Sequence, residues 1–338
     1  MLRRIAAVVL VVALAAVLVV IGWPQAFGLQ RTAFVTQVTA LRGAAVVGTL
    51  LVALVLTAVG LIAQPVRRLF GVLAVVLLAF ALGSTVLLLT RGVGAPTVPT
   101  AGANDITVLS WNTLGDSVSA ERVAQVARQY DADVVALPET SRETAERAAA
   151  LLDDAGRPTT ALVVAYSDYV KAQSTALLVS DDLGRYRVDE DARNTPLLPS
   201  VVAVPSGGQN APKLLAVHPV APVPERLADW REGLERLAAE CRGGNVVLAG
   251  DLNATLDHMA GLETSDGAHL GDCRDAALAT RNAAVGTWPT MLPALVGTPI
   301  DHVMATPNWR VAGFRVIDDQ DTAGSDHRPV LARLSPAG

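Results

Sequence analysis

From Met1 to Pro99 the chain contains no Asp, Glu or Lys, which limits what this stretch can become. Its only charged side chains are Arg3, Arg4, Arg31, Arg42, Arg67, Arg68 and Arg91. Between them run three uncharged apolar stretches, Ile5 to Gly22, Gly43 to Ala63 and Leu69 to Leu89. A helix rises about 1.5 Å per residue, so each is long enough to cross the hydrocarbon core of a bilayer. A single run of this kind can be a buried core helix or a cleavable signal segment. Three in succession, joined by short Arg- or Pro-bearing loops, present more apolar surface than so few residues can cover. The expectation is a three-helix transmembrane anchor over residues 1–90. Counting Arg in the loops favours a cytoplasmic N-terminus, with Arg3, Arg4, Arg67 and Arg68 inside against Arg31, Arg42 and Arg91 outside. A multi-pass cell-membrane protein results, with everything after Leu89 extracytoplasmic.

The rest of the chain has the opposite character. All 32 acidic residues lie beyond Pro99, against 20 basic ones, a formal charge of −12. Non-specific nucleic-acid binding depends on Lys and Arg displacing counterions, so this balance makes DNA or RNA the less favoured partner and a small or lipid-linked phosphate the better match. Residues 91–104, RGVGAPTVPTAGAN, have no periodicity and read as a linker holding a folded domain, residues 105–338, just clear of the bilayer. Cys241 and Cys273 are too few for a disulfide scaffold and lack zinc spacing. They could pair outside the cytoplasm or pack as two small buried hydrophobes.

Within residues 105–338, short apolar strands alternate with amphipathic helices. Strands are expected at Ile106 to Trp111, Val134 to Leu137, Ala176 to Val179, Val201 to Val204, Leu214 to Val217, Val246 to Ala249, Ile300 to Met304 and Val330 to Leu334. Helices are expected at Ala120 to Tyr130 and at Pro224 to Cys241, the latter stopping at Gly243-Gly244. This order implies an α/β or α+β domain with a substantial core.

The polar residues of interest follow the ends of these strands: Asn112, Glu139, His218, Asp251 with Asn253, Asp301 with His302, and Asp326 with His327. Singly, each has an ordinary explanation, since Asn and Asp after a strand usually serve turns and a lone His usually serves structure. Their order is more specific. WNTLGD at 111–116, GDLN at 250–253 and SDHRPV at 325–330, with Glu139, His218 and Asp301 between them, resemble the endonuclease/exonuclease/phosphatase superfamily, whose fold is shared by DNase I-like nucleases, inositol polyphosphate phosphatases and sphingomyelinases.

That resemblance, from about Asn104 to the C-terminus, implies a four-layer αββα sandwich behind the three transmembrane helices. It also implies a set of roles. Glu139 is the main ligand for Mg²⁺ or Mn²⁺ with Asn112 beside it, and Asp326 is a second metal-site carboxylate. Asp251 orients and deprotonates the attacking water, and Asn253 donates to the phosphate. His327, held by Asp301, stabilises the phosphoryl transition state, and His218 is a second phosphate-contacting histidine. Hard oxygen ligands suit these cations, and hydrolysis of a phosphate ester needs this division of labour. The family usually has Gln where Pro138 precedes the metal-binding Glu. Trp288 falls where the family often has an aromatic residue lining the cleft, a position that core packing would equally explain. No acidic partner for His218 is identifiable, His302 is expected to face away from Asp301 as a structural residue, and His258 and His269 match nothing.

The leading expectation is a membrane-anchored, divalent-metal-dependent phosphoesterase acting on phosphate ester or pyrophosphate bonds of a lipid-linked or cell-envelope substrate. Its layout is similar to that of glycopeptide-resistance membrane proteins of the same superfamily. The alternatives are an extracytoplasmic metal-dependent nuclease, which the scarcity of Lys disfavours, and a non-catalytic membrane scaffold, which the intact set of ligands disfavours.

Overall fold

The computed structural model describes residues 1–94, 98–167, 169–207 and 211–337. Three long helices open the chain: α1 (Leu2–Gly22), α3 (Arg42–Ile62) and α4 (Arg67–Arg91), with a short helix α2 (Val35–Ala40) between the first two. All three long helices have the length and apolar composition of membrane spans. They meet through small side chains, Ala53 of α3 and Ala74 of α4 packing with Leu77, Leu18 and Leu56. Such residues let helix backbones approach closely where lipid removes any hydrophobic drive between them.

Then follow β1 (Ile106–Ser110), α5 (Ala120–Gln129), β2 (Val134–Pro138), α6 (Arg142–Asp154), β3 (Thr159–Ala165), β4 (Ser174–Ser180), β5 (Tyr186–Val188), β6 (Val201–Pro205) and β7 (Lys213–Val217). The chain continues through α7 (Leu227–Glu240), β8 (Val246–Asp251), α8 (Leu256–Met259), β9 (Arg274–Asp275), α9 (Ala276–Ala279), β10 (Asp301–Ala305), β11 (Trp309–Val316) and β12 (Val330–Pro336). One six-stranded sheet has the order β11-β12-β1-β2-β4-β3 and the other β5-β6-β7-β8-β10-β9. The pairs β1–β2 and β7–β8 are parallel and the remaining pairs antiparallel.

Strand alternation divides the apolar side chains into layers. Val108, Val134, Ala136, Leu214, Val247 and Val303 point between the sheets. Leu109, Val135 and Leu137 point outward against α5 and α6, while Leu215, Val246 and Leu248 point outward against α7. The expected αββα sandwich is the result. Cys241 and Cys273 form a disulfide inside the outer layer of the second sheet, and both are fully buried.

The domain sits directly on the N-terminal helices. The amides of Ala283 and Ala284 donate to the carbonyls of Arg91 and Gly92 (3.2 and 3.1 Å), so the segment expected as a spacer is bound to the domain at its start. A side chain at Gly92 would collide with the Arg281 carbonyl at 2.1 Å. Residues 95–97 of that segment lie outside the described residues. At the same face, Asp257 is buried between Arg91 of α4 (2.7 and 2.8 Å) and Arg42 of α3 (3.2 Å), with Gln25 as a further donor. Arg31 donates to the carbonyls of His258 and Ala260 (both 2.8 Å). The buried imidazole of His258 spans the junction: Thr255 N–H donates to Nδ1 (2.9 Å) and Nε2 faces the Thr36 carbonyl at 3.1 Å.

Candidate active site

The topology brings distant parts of the sequence to one end of the sandwich. In each parallel pair the two C-terminal ends lie side by side, which places Asn112 beside Glu139 and His218 beside Asp251. Antiparallel pairing then brings in strand beginnings: Asp301, the first residue of β10, is in register with Asp251, the last of β8. His327 arrives just ahead of β12, which runs antiparallel to β1, and Trp111 Nε1 donates to its carbonyl (3.0 Å). Two turns here are strained, with Glu139 at φ 55° and Asn253 at φ 48°. Left-handed backbone is uncommon for such residues, and the surrounding packing holds it in place. Gly250 is required for a different reason, because a side chain there would meet the Val217 carbonyl at 2.1 Å.

Asn112 Nδ2 donates to Glu139 Oε1 (3.0 Å) and to Asp251 Oδ2 (3.1 Å), while its Oδ1 accepts from Leu114 N (2.9 Å). Its nitrogen, not its oxygen, therefore faces the carboxylates. In this orientation Asn112 steers Glu139 and Asp251, and ligation through Oδ1 would require the amide to turn and release Leu114. Asp251 Oδ1 accepts from Asn253 N (2.8 Å), and Asn253 Nδ2 lies 3.3 Å from Asp251 Oδ2 and 3.1 Å from the Pro219 carbonyl. Burial pushes the carboxyl groups of Glu139 and Asp251 above the usual carboxylate range.

The histidines differ from one another. His327 Nδ1 pairs with Asp301 Oδ2 at 2.9 Å, and its Nε2 points into the cleft, 3.8 Å from Asp251 and 3.9 Å from Asp326. Burial would lower its pKa, but Asp301 and Asp251 outweigh burial and raise it to about 10. His218 Nε2 lies 3.6 Å from Glu139 and 3.9 Å from Asp251, Nδ1 has no partner among the described residues, and burial lowers its pKa. Glu139 and Asp251 are thus the acidic neighbours that its sequence did not reveal. His302, one residue from Asp301, points to the other side: its Nδ1 pairs with Asp275 (2.7 Å) and its Nε2 with the Ala254 carbonyl (2.9 Å). Both nitrogens are satisfied away from the cleft.

Four carboxylates, Glu139, Asp251, Asp301 and Asp326, thus surround the imidazoles of His218 and His327. Among the described residues, Asp301 Oδ1 and Asp326 Oδ1 have no hydrogen-bond partner and no Lys or Arg lines the cavity. Uncompensated negative charge on hard oxygen donors fits a divalent cation of the Mg²⁺ type. Donor atoms of Asp251, Asp301 and His327 lie within 4.8 Å of one another. This is not the expected trio of Glu139, Asn112 and Asp326. With Nδ1 committed to Asp301 and its protonated form favoured, His327 is a poor metal ligand, and these three residues form a carboxylate-held imidazolium. The oxygen donors facing it remain for a cation.

Glu139, Asp251, Asn253, Asp326 and the two imidazoles line one side of a cavity of about 560 Å³, with Asp301 behind His327. Trp288 is on its wall, its Nε1 donating to Asp326 Oδ2 (2.8 Å), so it lines the cleft and orients a carboxylate. The other walls are apolar, from Leu114, Leu198, Val220, Val223 and Ile300. Sequence reasoning did not find three further lining residues, Gln37, Ala40 and Leu41, which come from α2 and the residue after it. A signal was present: residues 23–41 form a far longer connection than two antiparallel spans require.

Two facing mixed sheets with helices outside, and acidic and imidazole side chains gathered at one end, define the DNase I-like class of α/β sandwich. The chain belongs to the Endonuclease/Exonuclease/phosphatase family, whose sequence profile matches residues 109–327. Members of this family are generally hydrolases of phosphoester bonds. Similar solved structures include an endonuclease/exonuclease/phosphatase from Beutenbergia cavernae (21% identity, TM-score 0.48, covering 70% of this chain and 72% of that one). Another is from Bacteroides vulgatus (17%, 0.49, 69% and 99%), and a third is TDP2 from Caenorhabditis elegans (18%, 0.48, 68% and 75%). No curated protein matches the sequence.

Proposed function

We propose that this protein is a membrane-anchored, divalent-metal-dependent phosphoesterase whose substrate is a phosphate ester or pyrophosphate carried by a lipid. The observation that carries this reading is the cavity itself: acidic and imidazole groups on one side, apolar walls on the others, and one wall built from the anchor. A free polyanion would meet no basic surface there, whereas a phosphate on a hydrocarbon chain matches both halves.

Glu139 and Asp326 would hold Mg²⁺ or Mn²⁺, which when bound supplies positive charge for the phosphoryl oxygens. Asp251, its proton affinity raised by burial, takes the proton of the attacking water. Asn253 Nδ2 gives up its weak 3.3 Å contact with Asp251 to donate to a phosphoryl oxygen. The His327 imidazolium donates through Nε2 to the charge that develops in the transition state, and Asp301 keeps the ring oriented and protonated. Neutral His218 offers Nε2–H as a second donor beside Glu139.

An extracytoplasmic catalytic domain is supported twice. Disulfides such as Cys241–Cys273 persist in oxidising compartments. The three Arg residues that had counted for the opposite orientation, Arg31, Arg42 and Arg91, are bound to the domain. Arg3, Arg4, Arg67 and Arg68 lie at the far ends of the spans and, among the described residues, make no ion pair. The loop charges that remain free are all on the face away from the domain.

The test uses the full-length protein in detergent with Mg²⁺ or Mn²⁺, assayed for phosphate release from lipid pyrophosphates and lipid monophosphates and for cleavage of plasmid DNA. Turnover of a lipid phosphate that EDTA abolishes and Mg²⁺ restores is expected. DNA cleavage without lipid-phosphate turnover would replace this reading with the nuclease one.

A further inference from the structure

We propose that the anchor provides the second half of the substrate site: the hydrocarbon tail leaves the catalytic cavity across α2 and lies in the groove between α2 and the C-terminal third of α1. This inference rests on the lipid-phosphate reading above and adds a binding site to it.

Helix α2 lines two cavities. Gln37, Ala40 and the following Leu41 face the catalytic one. Phe34, Val35 and Val38 face another, of about 380 Å³, closed on its far side by Val17, Val20 and Ile21 of α1. Every residue lining this second cavity is apolar, and it lies where α1 reaches the domain. Helix α2 is also fixed in place, because Gln37 Nε2 donates to the neighbouring Pro222 carbonyl and His258 holds the Thr36 carbonyl.

Phe34 supports the same assignment. Its backbone has φ 65° and its side chain is 78% exposed within the protein. A bulky residue in left-handed backbone is an outlier that packing normally has to justify. Among the described residues little covers the ring, which lines the cavity between α2 and α1. An apolar chain passing over α2 would cover it.

The geometry also makes the occupant specific. Any membrane lipid can rest a chain against α1, but only a lipid with its phosphate in the catalytic cavity can occupy both sides of α2 together. The chain must therefore be long enough to cross the helix, and recognition should depend on chain length.

The experiment uses full-length protein in detergent micelles and a long-chain lipid phosphate with a diazirine at the end of its chain. After photolysis, label is expected on α2 and on the last third of α1, and inorganic pyrophosphate with Mg²⁺ should compete it away. Val17→Trp fills the groove from a lipid-facing position and should reduce labelling at least tenfold. Val9→Trp, the same change two turns nearer the N-terminus, should label like the wild type. Label elsewhere, labelling that phosphate does not displace, or a Val17→Trp variant that labels normally would each overturn the proposal. So would a Val17→Trp variant that changes only the oligomeric state, because the groove would then be a contact between copies. Phosphate release from the same lipid without its diazirine, measured separately, shows whether the phosphoesterase reading stands independently of where the tail binds.

Discussion

Asp251 and Asp257 are six residues apart, equally buried, and opposite in every other electrostatic respect. Asp257, at the junction between anchor and domain, has both oxygens engaged by the guanidinium groups of Arg91 and Arg42. Burial alone would raise its pKa, but the two Arg residues hold it well below the usual carboxylate range. Asp251, in the cleft, has only amide donors and a shared imidazolium, and burial pushes its pKa up. The contrast separates two uses of buried charge. A buried carboxylate whose oxygens are taken by guanidinium groups holds parts together, whereas carboxylates left without a Lys or Arg partner have capacity for a cation and a phosphate.

The largest expected effect lies on the unbalanced side. Asp251→Asn removes the proton acceptor and should lower kcat by up to about ten-thousandfold. Its thermal midpoint in the same detergent should stay level or rise, since a poorly compensated buried charge has been removed. Asp257→Asn should do the reverse, destabilising by about 3 to 5 kcal/mol because two Arg side chains lose their buried partner. A pair of variants with equal losses of stability would break the comparison.

The two imidazole–carboxylate pairs sharpen it further. His327→Ala should lower kcat by about a hundredfold with KM little changed, because its contact strengthens in the transition state. His302→Ala should leave kcat alone and lower stability by about 2 kcal/mol, because Asp275 stays buried without its partner. A His327→Ala effect confined to KM would mean that this residue only binds substrate.

The different legibility of the two clusters has a physical reason. The catalytic residues follow strand ends in short motifs whose order is visible along the chain, and β1, β2, β7, β8, β10 and β12 were each recognisable as short apolar runs. Strand β11 was not, because a bulge between Val311 and Gly313 breaks its alternation. Helix α6 was hidden as well, its buried face being made mostly of Ala145, Ala148 and Ala149. The junction leaves no local pattern at all. Asp257 looks like any acidic residue in a short loop until Arg42 and Arg91, far apart in the sequence, are folded beside it. For the same reason Arg31, Arg42 and Arg91 counted as loop charges in the topology argument. The Cys241–Cys273 pairing was open for an equivalent cause, since two cysteines carry no spacing code.

His258 gives the smallest effect and the most selective one, because it is a titratable group that joins the Arg42, Arg91 and Asp257 cluster to the anchor. Thr255 N–H donates to its Nδ1, so its remaining proton must be on Nε2, facing the Thr36 carbonyl; the ring is neutral in place. Burial lowers its pKa to about 4, below the value for an unfolded chain. Between those two values the unfolded state binds the extra proton and the folded state does not, so stability falls as pH falls. Lowering the pH from about 7.5 to about 5.5 should cost about 1 kcal/mol through this residue alone. His258→Gln can still donate to Thr36 and does not titrate, so the unfolding free energy of the wild type minus that of the variant should fall by that amount as the pH is lowered. A difference independent of pH would mean that the ring takes up its proton as readily in the folded protein as in the unfolded chain, and a difference that rose as the pH fell would mean that it is held charged at the junction; either would overturn the neutral ring.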